Sequence, residues 1–242
     1  MTATFDYVIV GAGSAGCVLA NRLSANPKLS VLLLEAGGRD RNFWIHVPLG
    51  FGKLMNDPRF NWLFETDPDP ATGDRKIPIP RGKVLGGSSS INGMLYVRGQ
   101  ALDYDSWGQL GNRGWSFQDV LPYFRKSENF YGPADEHRAK GGLLNVAPPA
   151  ERSQLADIFL KACAEAGHRT GHDYNGDDQE GFTYAQSTIA NGKRRSTAAA
   201  FLDPARGRPN LTIETNALAE RVLLEDGRAT GVVYRVGDDR RE

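Results

Sequence analysis

Apolar residues open the chain as a short run, residues 5–10. It gives way to Gly11-Ala12-Gly13-Ser14-Ala15-Gly16 and then to helix-compatible residues 17–23. A second apolar run, residues 31–34, ends on Glu35. Strand, glycine turn, helix and strand in this order predict a βαβ unit within the roughly 30 residues such a unit needs. Between residues 39 and 98 the pattern breaks. Pro48, Pro58, Pro68, Pro70, Pro78 and Pro80, among many glycines, predict a long irregular segment, and such a segment inside a compact domain is usually functional. Helical periodicity resumes over 102–110 and 117–126, the second stretch opened by Ser116 and Asp119 in N-cap and first-turn positions. A third helix is predicted over 154–166, with Leu155, Ile158, Phe159, Ala162 and Cys163 on one face and Gly167 ending it. Strands are expected at 183–189 and 211–214. Residues 221–224 should pair with 231–235 across Asp226-Gly227, a strong hairpin signal. The closing Asp238 to Glu242 predict no element that completes a sheet.

Composition narrows this picture only modestly. The 242 residues are 40% hydrophobic, enough for a real core, and 29 basic residues balance 29 acidic ones. That balance argues against nucleic acid or an acidic membrane surface as partner. Two cysteines, Cys17 and Cys163, are too few and too far apart for a disulfide framework or a zinc site, so a reducing compartment is expected. Met1 to Asp6 carries no basic n-region, which argues against a secretory signal. No apolar stretch approaches the roughly 20 residues of a transmembrane helix. The expected location is cytoplasmic, with peripheral attachment at the inner membrane left open.

The glycine turn carries the first chemistry. Gly11 permits a tight turn out of the strand, Gly13 lets backbone N–H groups approach a pyrophosphate, and Gly16 lets the helix pack closely on the strand. The positive end of that helix, at Ser14 and Ala15, would face the phosphates. Glu35, 19 residues after Gly16, ends the second strand where a carboxylate can accept hydrogen bonds from ribose hydroxyls and would repel a 2′-phosphate. The motif holds either NAD or FAD by the same physics. The plainer alternative is a glycine-rich turn with no ligand and Glu35 as a solvated strand end.

A second stretch, Pro80-Arg81-Gly82-Lys83-Val84-Leu85-Gly86-Gly87-Ser88-Ser89-Ser90-Ile91-Asn92-Gly93-Met94-Leu95-Tyr96-Val97-Arg98-Gly99, exposes backbone through paired glycines. It offers three serine hydroxyls, which could equally serve only to satisfy a tight turn. It resembles the first signature of the glucose–methanol–choline oxidoreductase family, and the glycine turn with Glu35-Ala36-Gly37 matches the same family's nucleotide end. Asn61-Trp62, residues 114–124 and Asn191-Gly192-Lys193-Arg194-Arg195-Ser196 fit as well. The resemblance covers nearly the whole chain and leans toward choline dehydrogenase-like members.

The resemblance implies FAD as cofactor. Gly11, Gly13, Ser14, Ala15, Gly16, Glu35 and Ala36 would hold its adenosine diphosphate end, and the backbone of Ala219 would meet the adenine. Val84, Gly87 and the run Asn92, Gly93, Met94 and Leu95 would lie on the flavin and ribityl-phosphate side. Some relatives attach the flavin to a histidine immediately before the asparagine; Ile91 stands there, so non-covalent FAD is expected.

The implied reaction is oxidation of the CH–OH group of a small primary alcohol, choline among the candidates, by hydride transfer to flavin N5, with the electron acceptor left open. The family's catalytic histidine belongs to its C-terminal part, beyond Glu242 in this numbering, and none of His46, His137, His168 and His172 sits in a matching motif. His168 and His172 are spaced for a metal, but Gly167 and Gly171 interrupt the helix that site would need, and no metal is expected. The acidic run 177–180 lacks calcium-loop spacing. The mid-chain aromatics, Phe43, Trp44, Trp62 and Trp107 among them, could cage a quaternary ammonium but read better as packing.

The expected fold is α/β: a doubly wound, Rossmann-like FAD/NAD(P)-binding domain with part of an inserted α+β substrate domain. The expected boundaries are 1–150 for the main FAD-binding part with its irregular segment 39–99, 151–205 for the start of the insertion, and 206–242 for the return. Two rival readings remain: a non-catalytic FAD-binding fragment or remnant, and an NAD-dependent dehydrogenase, which the signature over 82–99 disfavours.

Overall fold

The computed structural model describes residues 3–242; Met1 and Thr2, which open the amino-terminal stretch discussed above, lie outside the described residues. In chain order the elements begin with β1 (Tyr7–Val10), α1 (Ser14–Leu23) and β2 (Val31–Glu35). The short α2 (Phe43–His46), α3 (Phe51–Leu54), β3 (Phe64–Glu65) and β4 (Pro78–Ile79) follow. Next come α4 (Ala101–Gln109), α5 (Phe117–Ser127), β5 (Glu128–Phe130), β6 (Leu144–Val146) and α6 (Gln154–Glu165). The chain closes with β7 (Ile189–Ala190), β8 (Lys193–Arg194), β9 (Leu211–Thr215), β10 (Ala217–Glu225), β11 (Arg228–Val236) and β12 (Asp239–Arg241).

The residues pack as two compact units. The first comprises the described part of Met1–Gly93 together with Gly192–Glu242; the second is Met94–Asn191. These divisions fall away from the boundaries expected at 150/151 and 205/206. The physical reason is local: α4 packs against α5, and α5 runs directly into β5, which pairs with β6, so residues 101–146 form one packed body.

In the first unit, β2 lies between β1 and β9, parallel to both, in register Tyr7↔Val31 and Val31↔Leu211. β2 has a strand along each edge, with α1 and the residues Ala217 and Tyr234 packed on it, which is why Val31-Leu32-Leu33-Leu34-Glu35 is buried throughout. β1 is an edge of this sheet among the described residues, and Tyr7, Val8 and Val10 are exposed. β10 and β11 form the expected hairpin, with Arg221↔Val233 and Leu223↔Gly231 in register. Asp226 and Gly227 both take positive φ, 50° and 77°, as a tight primed turn demands. Leu32 and Leu34 pack against Ala217 and Tyr234, joining the parallel strands to the hairpin. A second cluster, Ile45, Leu54, Val84 and Ile91, forms a core inside the irregular segment, which therefore folds around its own apolar centre.

Three expectations fail locally. Residues 183–188 do not form a strand, and Ile189 only opens the two-residue β7. Ser187 makes only isolated bridges, to Leu95 and Ala147, and the tyrosine and glutamine at 184 and 186 are held by side-chain hydrogen bonds instead. The chain's last residues do extend a sheet: β12 pairs antiparallel with β11. An edge strand solvated on its outer side needs no apolar alternation, so Asp239-Arg240-Arg241 left no pattern to read. Third, the apolar face of α6 is not a core face in this structure. Leu155, Ile158 and Phe159 are exposed, and Cys163 is the residue of that face that is buried.

Candidate functional site

The first glycine turn is built as its sequence demands. Gly11 sits at φ +90°, where a side chain would be strained, and its N–H donates to Leu34 O at 2.8 Å, closing the turn onto β2. Gly16 lies against that turn so closely that a Cβ there would stand 1.9 Å from Gly11 O. Gly13, the residue before α1, differs in kind. Its φ is ordinary, and a Cβ would meet nothing within 4 Å, so the space beside it is open. No side chain caps the start of α1, and its first turn holds no acid. Uncapped N–H groups at the positive end of a helix, beside open space, suit an anion.

The second glycine stretch abuts the first. Gly86 N–H donates to Ala12 O at 2.7 Å, and a Cβ on Gly87 would stand 2.7 Å from Gly13 Cα. Gly37 touches the same segment, since a Cβ there would lie 1.9 Å from Lys83 O. Backbone thus packs on backbone where the two motifs meet, and only residues without a Cβ allow it.

Both motifs line one cavity of about 450 Å³ in the first unit. Gly11, Gly13, Ser14, Glu35, Ala36, Gly87 and Ala219 all face it, seven of the residues expected from sequence. Ala15 is exposed beside it on α1, and Gly16 is buried behind the turn. Val84 is fully buried in the apolar cluster with Ile91. Asn92 and Gly93 are exposed on the first unit, with Asn92 N–H bonded to Ser88 O at 2.8 Å. Met94 and Leu95 begin the second unit. Met94 is buried at φ +62°, and Leu95 is exposed and bridged to Ser187.

Glu35 is no solvated strand end. It is 5% exposed, and its two oxygens each accept a backbone N–H at 2.8 Å, from Ala12 and from Gly37. Burial raises its pKa above the usual carboxylate value, against the pull of the Gly37 and Ala12 N–H groups and of Lys83. Each carboxylate oxygen keeps a further lone pair, so the brace that locks turn to strand leaves capacity for hydroxyl donors.

Sequence reasoning missed Trp62, Arg81 and Ser88 as lining residues. Trp62 stacks on Phe64, and the Lys83 ammonium lies 4.7 Å over the Trp62 ring. Their signal was present only as motif membership; their placement depends on the β3–β4 pairing and the Asn61↔Gly82 bridge, which no local pattern announces. Phe43 packs edge-on against Trp44, while Trp107 lies edge-on to both Trp115 and Tyr104, and Tyr104 goes on to Phe117 and Phe124.

The second unit concentrates buried charge. Glu128 is fully buried and accepts from Arg98 at 2.9 Å and from Arg138 in a two-pronged pair, while Arg138 also reaches Asp173 at 2.6 Å. None of the four histidines stands in a nucleophile or relay arrangement among the described residues. His46 Nε2 lies 2.7 Å from Asp40 O, His168 packs edge-on against Phe182, and both ring nitrogens of His172 are buried without a partner among the described residues.

A family model described as GMC oxidoreductase matches residues 5–242. The chain belongs to the GMC oxidoreductase family. Among curated members, an oxygen-dependent choline dehydrogenase of Vibrio vulnificus is 46% identical over 239 residues, covering 98% of this chain and 43% of its own length. One from Pseudomonas putida is 47% identical over 243 residues, with the same two coverages. The solved pyridoxine 4-oxidase from Mesorbium loti superposes with a TM-score of 0.93 at 34% identity, over 98% of this chain and 47% of that one. An FAD-dependent oxidoreductase from Chaetomium thermophilum gives a TM-score of 0.88 at 31% identity, over 98% and 43%. This GMC chain therefore spans less than half the length of the relatives it matches, and its fold is the α/β fold of the family's N-terminal part. Among the described residues no helix is long and apolar enough to cross a membrane.

Proposed function

We propose that the cavity between the two glycine motifs holds FAD without a covalent bond, as the cofactor-binding part of an oxidoreductase acting on the CH–OH group of a small alcohol. The observation that carries this reading is the backbone junction of Gly13 with Gly87, which makes one lined space out of two motifs. The residues present fit a dinucleotide. The open side of Gly13 and the uncapped start of α1 receive the pyrophosphate through the N–H groups of Ser14 and Ala15. Arg81, also on the cavity wall, adds a positive charge near that anion. Glu35 and Ala36 sit at the ribose end, where a 2′-phosphate would meet the Glu35 carboxylate, and Ala219 closes the adenine side. Gly87, Asn92 and Gly93 serve the flavin end, with Val84 supporting them from the core.

When bound, the flavin supplies the hydride acceptor for alcohol oxidation. This chain's residues bind and orient it; none of His46, His137, His168 and His172 is assigned as the proton acceptor for the alcohol. Ile91 has no nucleophilic atom and is buried, in keeping with non-covalent attachment. Choline is the leading substrate class because the curated relatives named above are choline dehydrogenases.

Purification followed by an absorbance spectrum and titration with FAD or NAD tests the reading. Visible flavin bands, released to the supernatant by acid precipitation, and negligible alcohol turnover by this chain alone are expected. A protein that binds NAD and ignores FAD contradicts it, and flavin retained in the acid pellet contradicts the non-covalent part.

A further inference from the structure

The first strand has the sequence of an interior strand and the position of an edge. Residues 5–10 run Phe-Asp-Tyr-Val-Ile-Val, close to the continuous apolar pattern of a parallel strand covered on both sides. In a doubly wound sheet the first strand has a neighbour on each side, because the winding reverses beside it. Among the described residues the order β1-β2-β9 supplies a neighbour on one side only. Tyr7 N–H donates to Ser30 O at 3.2 Å and Gly11 N–H to Leu34 O at 2.8 Å, so the odd-numbered positions turn their backbone groups to β2. By alternation the N–H and C=O groups of Val8 and Val10 point out of the free edge. Such edges are ordinarily guarded by a lysine, a proline or a bulge. β1 has none of these: its register with β2 is unbroken from Tyr7↔Val31 to Val10↔Leu34. The neighbouring charge, Asp6, is turned to Ser30, whose N–H and hydroxyl both donate to it at 2.7 Å. Beside Val8 the surface opens into a cavity of about 130 Å³ whose lining includes Phe5, Leu32, Leu34, Val232 and Tyr234. A dry apolar space of that order holds one benzene-sized group.

We propose that the free edge of β1 is a docking site for one parallel strand from the carboxyl-terminal part of a GMC oxidoreductase chain, with an apolar side chain of that strand seated in the cavity beside Val8. Length argues for this occupant. The Vibrio vulnificus and Mesorbium loti relatives match 98% of this chain, yet the match is 43% and 47% of their own lengths, so each carries more polypeptide outside the shared part than within it. A second copy fits the edge less well. Two-fold pairing through β1 would be antiparallel, and a four-residue strand spans only about 13 Å, far short of the roughly 1,000 Å² that a stable interface buries. The proposal does not depend on which dinucleotide the glycine motifs hold.

The test extends this chain at Glu242 with the part of the Vibrio vulnificus relative that follows the matched region. Amide exchange is then read residue by residue in the 242-residue chain and in the extended protein. In the 242-residue chain the Ile9 amide should be protected, while those of Val8 and Val10 exchange freely. Extension should slow Val8 and Val10 by about a hundredfold or more. Val8→Pro separates strand pairing from general covering, since it deletes one outward N–H and edge strands tolerate proline. The 242-residue variant should keep Ile9 protected, and the extended variant should lose the protection of Val10. Val8 and Val10 amides that exchange as fast in the extended protein as in the 242-residue chain overturn the proposal, and this comparison decides it even where the proline variant does not fold. An extended Val8→Pro protein whose Val10 stays protected overturns it as well. Protection of the two amides in the 242-residue chain that grows with its concentration would make a second copy the occupant, again against the proposal.

Discussion

Each unit is built around a centre of a different kind. In the first, the site is made of backbone: Gly16 against Gly11, Gly37 against Lys83, Gly82 against Gly87 and Gly87 against Gly13. In the second, the centre is made of charge: Glu128 between Arg98 and Arg138, with Asp173, Gln186 and Asn175 completing the hydrogen bonds. A guanidinium 3.6 Å over the Phe130 ring shows how tightly that centre is packed. A backbone-built site tolerates no added atom on one side and leaves free space on the other. A charge-built core tolerates size changes poorly and charge changes worse, because removing one partner strands the rest in low dielectric.

The largest effect should come from breaking the charged centre. Glu128→Ala leaves two buried arginines without their shared counter-ion and should destabilise the second unit by about 3–5 kcal/mol. Hydrogen exchange should show the loss over residues 94–191, and equal loss in β2 would mean that the units do not respond separately. Next in size, Gly16→Ala forces α1 off β1 and should cost about 1–3 kcal/mol in denaturant unfolding. An unchanged midpoint would show that the turn yields where its backbone is described as rigid.

This contrast also explains what could be read from the sequence. Glycines with a required φ or a required close approach leave a pattern, so the turn at Gly11–Gly16, Glu35 at the strand end and the Asp226-Gly227 hairpin were all legible. Charged residues normally read as solvated, and nothing local marks Arg138 or Glu128 as fully buried, so the centre of the second unit was not legible. Periodicity did give α6, but it could not say that Leu155, Ile158 and Phe159 would lie exposed in this structure. Trp62 and Arg81 reach the cavity through non-local pairing, so motif membership flagged them without giving their place.

Smaller effects sharpen the account of Glu35 and Cys17. Because burial raises the Glu35 pKa, the unfolded chain ionises there more readily than the folded one. The contribution of this group to stability is full below the unfolded value of 4.5 and is lost as pH rises through the folded value. Stability of the parent relative to Glu35→Gln should therefore decline slightly on going from pH 4 to 7, and a rise would reverse the assigned sign. Smallest of all, burial pushes the Cys17 thiol up to about 11, and its Sγ donates to Ala12 O at 3.2 Å. Alkylation at neutral pH should be negligible until the chain unfolds; rapid labelling of the native protein would show the turn to be open.

The central claim is that the open side of Gly13 is where a dinucleotide's pyrophosphate rests, and one comparison tests it most directly: calorimetric titration of FAD into the parent and into Gly13→Ala, each with its melting curve. Since the added methyl meets no protein atom, the melting temperatures should agree, while FAD affinity should fall at least tenfold because the methyl occupies ligand space. Equal FAD affinity in the two proteins would contradict the account.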